Sequence, residues 1–342
     1  MNVHRPKIAL LCFGFAIGML PKSASAVSFD SVFVFGDSLS DSGNVFLATG
    51  GETQTIPFGG LIPSRAYESG RFSDGPVWTE ILAANLGLSA SPFLAGGTNF
   101  AFGGAQTGPL GTVPPASPSL LDQLVLFQGA TAGVAPSDAL YVVFGGNNDA
   151  RIAAFQRLAG DDAGSENTIA QGVNNLATII NTLAGAGAEN FLVANVPNIG
   201  ATPDATRGPT IAPGIFTDVA TEFNILLDGA LGGLATNPDI NLVPVDTFGF
   251  LSSISASPES FGLTNGSDPC IDLTTVCTNP NEFVFYDGIH VTTATHTAFA
   301  QLAGDRLNAA HVPEPSTLLG SGVLTLFVLA RKRREFKARK KL

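Results

Sequence analysis

Four short apolar runs constrain what this chain can fold into. They are Val32-Phe33-Val34-Phe35, Leu140-Tyr141-Val142-Val143-Phe144, Asn190-Phe191-Leu192-Val193-Ala194 and residues 240–245. Each is rich in β-branched or aromatic residues, and each is followed by Gly, Asn or Asp. None shows the clean alternation of a strand with one wet face, so they read as strands buried on both sides. Helix-like stretches lie between them, at 78–88, 169–186 and 219–234. Strand and helix in alternation predict a three-layer α/β/α domain with a mostly parallel, doubly wound sheet. Chemistry in such sheets sits at the carboxyl ends of the strands, so the residues just after each run are the first to inspect. No repeat marks a solenoid or propeller.

The chain has 342 residues and a formal charge of −11, but the average hides a partition. Eight basic residues lie within positions 331–342, and three more (Arg5, Lys7 and Lys22) near the start. Residues 27–311 keep six arginines, no lysine and 26 acids, a net of −20. A body this acidic is a poor partner for nucleic acid, which needs cations to replace phosphate counterions. It favours a neutral or zwitterionic substrate over a strongly anionic one.

Both ends read as addresses. Arg5 and Lys7 precede an apolar stretch at 8–20, and Ser23-Ala24-Ser25-Ala26 supplies small residues for cleavage after Ala26. Residues 1–26 therefore read as a secretory signal peptide for signal peptidase. At the other end, Val312-Pro313-Glu314-Pro315-Ser316-Thr317 leads into an apolar run at 318–330, stopped by the basic cluster. That order predicts transient insertion in a membrane with the basic end cytoplasmic. The pattern over 312–342 resembles the PEP-CTERM sorting signal of bacterial exported proteins. The resemblance implies recognition by an exosortase and removal of the tail; a simple tail anchor is the alternative. The expected destination is the cell surface, outer envelope or extracellular matrix, and the working body is residues 27–311. Cys270 and Cys277 remain in that body, and a disulfide is expected between them. A metal pair is the rival, with no nearby His to complete a ligand set.

Two polar clusters carry the chemistry. The first, Gly36-Asp37-Ser38-Leu39-Ser40-Asp41-Ser42-Gly43-Asn44, follows the first strand. A Ser placed where a helix is about to start exposes its hydroxyl beside backbone N–H groups, which suits a nucleophile and equally suits a helix N-cap. The second is Tyr286-Asp287-Gly288-Ile289-His290. A carboxylate three residues before a His can fix its tautomer, leaving the imidazole to take a proton from Ser. The body has two other histidines, His296 and His311, both expected at the surface.

Gly36-Asp37-Ser38-Leu39 near the start and Asp287-x-x-His290 near the end resemble the GDSL or SGNH hydrolases. Two further blocks fit in order: residues 99–105, Asn-Phe-Ala-Phe-Gly-Gly-Ala, and Gly146-Asn147-Asn148-Asp149. Residues 70–78, Gly-Arg-Phe-Ser-Asp-Gly-Pro-Val-Trp, resemble a segment of the lipase-like branch. The resemblance implies the SGNH-hydrolase, flavodoxin-like arrangement and a secreted serine ester hydrolase without a cofactor. It assigns Ser38 as nucleophile, His290 as general base and then acid, and Asp287 as the group orienting His290. Gly104 and Asn148 would join the Ser38 N–H around the oxyanion. Gly103 competes with Gly104, and Asn147 with Asn148. Val291 departs from the Pro that often follows the family's histidine.

The nucleophile elbow Gly-x-Ser-x-Gly is absent, as are a Walker loop and His-Glu-x-x-His, so α/β-hydrolase, nucleotide and catalytic-metal readings are disfavoured. The expected substrate is a carboxylic ester, tilted towards lipid-like esters by the lipase-like segment. An acetylated polysaccharide is the variant reading, weakened by a single Trp. A non-catalytic surface or matrix protein on the same fold is the alternative from another class. Most of the 25 Phe residues are expected in the core.

Overall fold

All four apolar runs form strands: β1 (Val32–Gly36), β2 (Leu140–Phe144), β3 (Asn190–Ala194) and β4 (Asn241–Val245). The computed structural model describes residues 28–50, 70–108, 117–207, 212–272 and 276–311. The expected signal peptide and sorting segment lie outside these residues. The four strands pair in parallel in the order β1-β2-β3-β4. On the other side of β1, residues 98–102 run as an irregular edge. Val34 N–H donates to Thr98 O (3.1 Å), Phe100 N–H to Val34 O (2.8 Å) and Phe102 N–H to Gly36 O (3.2 Å). The chain thus leaves β1 towards one edge and returns on its opposite side for β2. The switch point of this doubly wound sheet falls at the carboxyl end of β1, where a ligand crevice is expected.

The helices in chain order are α1 (Asn44–Ala48), α2 (Trp78–Asn85), α3 (Leu120–Ala130), α4 (Asn147–Leu158), α5 (Asp162–Gly185), α6 (Pro203–Arg207), α7 (Pro213–Leu234), α8 (Thr247–Ala256) and α9 (Thr293–His311). Successive strand residues point to opposite faces. Phe33, Phe35, Tyr141, Val143 and Phe191 therefore meet α3, α4, α5 and α7, while Val32, Val34, Val142, Phe144 and Leu192 meet α2 and α9. This two-sided burial is why the runs carry no polar alternation. Pro244 sits in β4, an edge strand where a missing N–H costs no ladder bond. The Phe residues are mostly core: Phe33 and Phe35 both meet Phe127 edge-on, and Phe35 stacks on Phe100.

Several helix bounds differ from expectation. The helix expected from 169 starts at Asp162, because the Asp161 side chain caps the Gly164 N–H and a polar first turn precedes the apolar stripe. The helix expected from 219 starts at Pro213, a residue suited to the first helical turn. α3, α4 and α8 were not anticipated. α4 opens directly on Asn147, within a Gly-Gly-Asn-Asn stretch whose composition signals a turn. A small layer of α8, β5 (Asn265–Pro269) and β6 (Phe283–Phe285) closes one end around Leu251, Ile254, Val284 and Phe285. Cys270 and Cys277 are joined in a disulfide, with Cα atoms 4.8 Å apart, which removes the metal-pair reading. Among the described residues no helix is long and apolar enough to cross a membrane.

Candidate active site

The end of β1 turns sharply. Ser40 and Asp41 N–H groups both donate to Asp37 O, at 3.0 and 2.9 Å, and this turn carries Ser38. The expected helix start at Ser38 is not observed: α1 begins only at Asn44, so Ser38 is not an N-cap. Both hydrogen-bonding groups of Gly36, the last residue of β1, are satisfied by Gln123 of α3, at 2.9 and 2.8 Å. The strand end is thereby fixed without a longer ladder.

Ser38 and His290 are 252 residues apart in sequence, yet Ser38 Oγ lies 2.9 Å from His290 Nε2. The other ring nitrogen, Nδ1, lies 2.7 Å from Asp287 Oδ2. Asp287 Oδ1 accepts the Ile289 N–H (2.8 Å) and the His290 N–H (2.7 Å), so the loop wraps its own carboxylate. Burial alone would raise the Asp287 carboxyl. The charge and hydrogen bond of His290, with the two backbone N–H groups, hold it below the ordinary carboxylate range. Asp37 is also buried, and burial pushes it up to about 6 despite bonds from Leu39 N–H and Asn147 and the nearby charge of His290.

The two remaining expected residues lie in the loops that meet this turn. Gly104 is exposed and left-handed, with φ 78°, a conformation that favours glycine. Its competitor Gly103 is buried, and its N–H is spent on Asp41 Oδ2 at 2.9 Å. The N–H groups of Ser38 and Gly104 make no hydrogen bond among the described residues. Asn148 is half-buried at the start of α4 and donates one Nδ2 proton to Ala105 O at 2.8 Å, leaving a second proton on that nitrogen. Asn147 is buried and donates instead to Asp37 Oδ2, also at 2.8 Å. Hydrogen bonding thus distinguishes Gly103 from Gly104, and burial distinguishes Asn147 from Asn148.

The sequence reading missed the residues that hold these loops together. Asp41 accepts from the N–H groups of Gly43, Asn44, Val45 and Gly103. Asn44 Nδ2 donates to Asn99 O and Ala101 O, and Asn99 Nδ2 donates to Ser40 O. Asp149 accepts from both the N–H and the hydroxyl of Thr107. The loop carrying Gly104 is therefore tied to the nucleophile turn on one side and to α4 on the other. Asp41 and Asn44 were visible as polar residues at a strand end, but the partners through which they hold the loop at 99–103 are 55 to 62 residues away.

His296 corrects another expectation. It is not at the surface but fully buried in α9, and neither ring nitrogen has a hydrogen-bond partner among the described residues. Burial, reinforced by nearby His290, pushes it down to about 3. His311 ends α9, and its side chain lies outside the described residues. Trp78, the one tryptophan, is fully buried and donates Nε1–H to Ser40 Oγ at 3.1 Å.

Residues 32–303 match the family of GDSL-like lipases and acylhydrolases. A GDSL esterase/lipase of Arabidopsis thaliana is 28% identical over 329 residues, covering 85% of this chain and 94% of its own length. The Arabidopsis thaliana GDSL esterase/lipase EXL4 is 30% identical, covering 83% of this chain and 93% of its own. The thermolabile hemolysin of Vibrio parahaemolyticus is 26% identical, over 80% of this chain and 62% of its own. The chain belongs to the GDSL-like lipase/acylhydrolase family. It is a carboxylic ester hydrolase on the SGNH-hydrolase fold.

Proposed function

We propose that the chain is an exported serine hydrolase that forms an acyl-enzyme on Ser38. The reading is carried by one observation: the relay from Ser38 Oγ through His290 to Asp287, with spacings of 2.9 and 2.7 Å. With Asp287 ionised, the imidazole proton sits on Nδ1, and Nε2 is left to accept from the Ser38 hydroxyl. Ser38 Oγ attacks the acyl carbon as its proton passes to Nε2. Negative charge develops on the former carbonyl oxygen, and the N–H groups of Ser38 and Gly104 with Asn148 Nδ2 donate to it. Collapse of the intermediate expels the alcohol, which takes the proton from His290. Water then repeats the sequence on the acyl-Ser38 bond, releasing the carboxylic acid and restoring the hydroxyl.

Residues 70–78, with their likeness to the lipase-like branch, and the net charge of −20 favour a neutral or zwitterionic lipid-like ester. Burial of the one tryptophan removes a tryptophan stacking platform for sugars, which speaks against the acetylated-polysaccharide variant. Export by way of signal peptidase, and sorting or anchoring through 312–342, belong to the same reading. The Cys270–Cys277 disulfide is in keeping with an oxidising compartment.

The test is hydrolysis of p-nitrophenyl esters of graded acyl length by the wild type, Ser38→Ala and His290→Ala. Loss of turnover in both variants, with binding retained, is expected. Equal activity in wild type and Ser38→Ala overturns the mechanism. Mass spectrometry of the exported protein checks the termini: a chain ending at Leu342 excludes removal of the tail.

A further inference from the structure

The segment at 70–76 was singled out in the sequence by likeness alone, and the mechanism above gives it no task. Its contacts point to one. Phe72 is buried, and its ring lies 5.2 Å, centroid to centroid, from the His290 imidazole, tilted by 33°. The opposite constraint on that ring comes from Gly103: a Cβ there would fall 2.1 Å from the Phe72 ring, so glycine is required for the ring to lie where it does. Phe72 therefore fills the space between the imidazole and the loop that carries Gly104. The flanking residues hold the segment to the chain just beyond His290. Ser73 Oγ donates to Val291 O (2.8 Å), and the Thr293 N–H donates to Asp74 Oδ1 (2.7 Å). On the other side, Arg71 pairs with Glu80 at 2.6 Å, and Glu80 also accepts the Val77 N–H, which ties the segment to the first turn of α2.

We propose that residues 70–76 form a clamp on the catalytic histidine, with Phe72 as its positioning residue. The proposal rests on the reading of His290 as base and acid. The imidazole has two jobs in each half of the reaction: it takes a proton from one oxygen and gives it to another. Asp287 fixes it along the Nδ1 direction only. The Phe72 ring limits swing out of the imidazole plane, and a ring within about 6 Å also favours the transient positive charge. The same ring keeps Gly103 at a set distance, so the base and the oxyanion loop are held relative to each other. A displacement of about 1 Å in such a constellation can cost on the order of 100-fold in turnover.

The leaving group distinguishes positioning from general packing. A p-nitrophenolate departs without needing a proton, whereas an alkoxide needs one from His290. In Phe72→Ala and Phe72→Leu, kcat on alkyl esters is expected to fall about 10- to 100-fold with KM within about twofold. The fall on p-nitrophenyl esters should be several-fold smaller. Gly103→Ala, which drives a methyl group into the ring, should show the same split. Thermal melts of the full-length variants identify any that fail to fold; the milder Phe72→Leu then carries the comparison. Equal losses on both ester types in a folded Phe72 variant, or no loss, overturn the clamp. A His290→Ala variant with wild-type turnover overturns the underlying assignment of His290 instead, so the two failures are separable.

Discussion

His296 makes the folded chain sensitive to acid in a way that can be measured by replacing one residue. In the unfolded chain its imidazole binds a proton near pH 6.5; in the folded chain burial delays this to about 3. Stability follows the difference in protons bound by the two states. Above pH 6.5 neither state holds this proton and His296 contributes nothing. As pH falls from 6.5 towards 3, the unfolded state alone gains it, and stability drops by about 1.4 kcal/mol for each pH unit. At pH 5 the cumulative loss is about 2 kcal/mol. His296→Gln and His296→Leu remove the titration. Their stability relative to wild type should therefore be about 2 kcal/mol more favourable at pH 5 than at pH 8. Asp37 and Asp41, pushed up to about 6 by burial, act in the opposite sense, since the folded state binds their protons more tightly. They are present in every variant and cancel in the comparison. Leu also removes two buried nitrogens without partners, so it should exceed Gln in stability at pH 8 as well. Urea unfolding of the oxidised protein, followed through buried Trp78, supplies the four free energies for each variant pair. A stability difference that is the same at pH 5 and pH 8 refutes the reasoning.

Three further outcomes are expected. Asn148→Ala should lower kcat by about 10²–10³ with little change in KM, whereas Asn147→Ala, which removes the bond to Asp37, should act mainly on the melting temperature. Arg151 and Asp204 form an ion pair at 2.8 Å, both nearly buried. Removing either partner alone should cost about 3–5 kcal/mol in urea unfolding, and replacing both with apolar residues should recover most of it. The Cys270–Cys277 bond closes a loop with a sequence separation of 7, and Cys270→Ser/Cys277→Ser should lose about 2 kcal/mol by the chain-entropy relation, read as a lower denaturant midpoint.

The parts of this architecture that were legible in the sequence are those written in adjacent residues. Strands β1 to β3 are buried on both faces, so each appears as an unbroken apolar run. Ser38 and the Asp287–His290 pair follow such strands or lie within one turn of each other. What was not legible depends on partners far along the chain. Gly103 and Gly104 are told apart by Asp41, which takes the N–H of Gly103 and leaves that of Gly104 for the proposed oxyanion role. Asn147 and Asn148 each commit one Nδ2 proton, to Asp37 and to Ala105 O, and differ in that Asn147 is buried and Asn148 half-buried, which adjacent residues do not reveal. Helix α4 begins inside a turn-like composition because its first residues are held by Asp37 in the turn after β1 and by the loop at 105–107 rather than by their own propensity. His296 looked solvent-facing because it is polar, but it shares the buried face of α9 with Phe299, Ala300 and Ala303, where the helix packs against α2, β4 and β6.

These long-range ties also divide the candidate site in two. The proposed nucleophile lies in the turn just after β1, and the proposed base in the loop just before α9. The base is gripped by a segment from the early part of the chain: Ser73 holds Val291, Asp74 holds Thr293, and Trp78 packs on Phe299 with ring centroids 4.3 Å apart. Among the described residues α9 is the last helix in chain order, and Trp78, Leu82 and Phe299 share one cluster across α2 and α9. Docking of α9 brings Thr293 to Asp74, while the loop carrying His290 is also held through Asp204 N–H to Gly288 O and Ile271 N–H to Tyr286 O. The nucleophile turn is different, since Asp41, Asn44 and Asn99 all precede residue 100 and can form their bonds without the C-terminal third. The Asp287–His290 half of the candidate site therefore depends on residues 291–311 for its support, whereas the ties of Asp41, Asn44 and Asn99 do not.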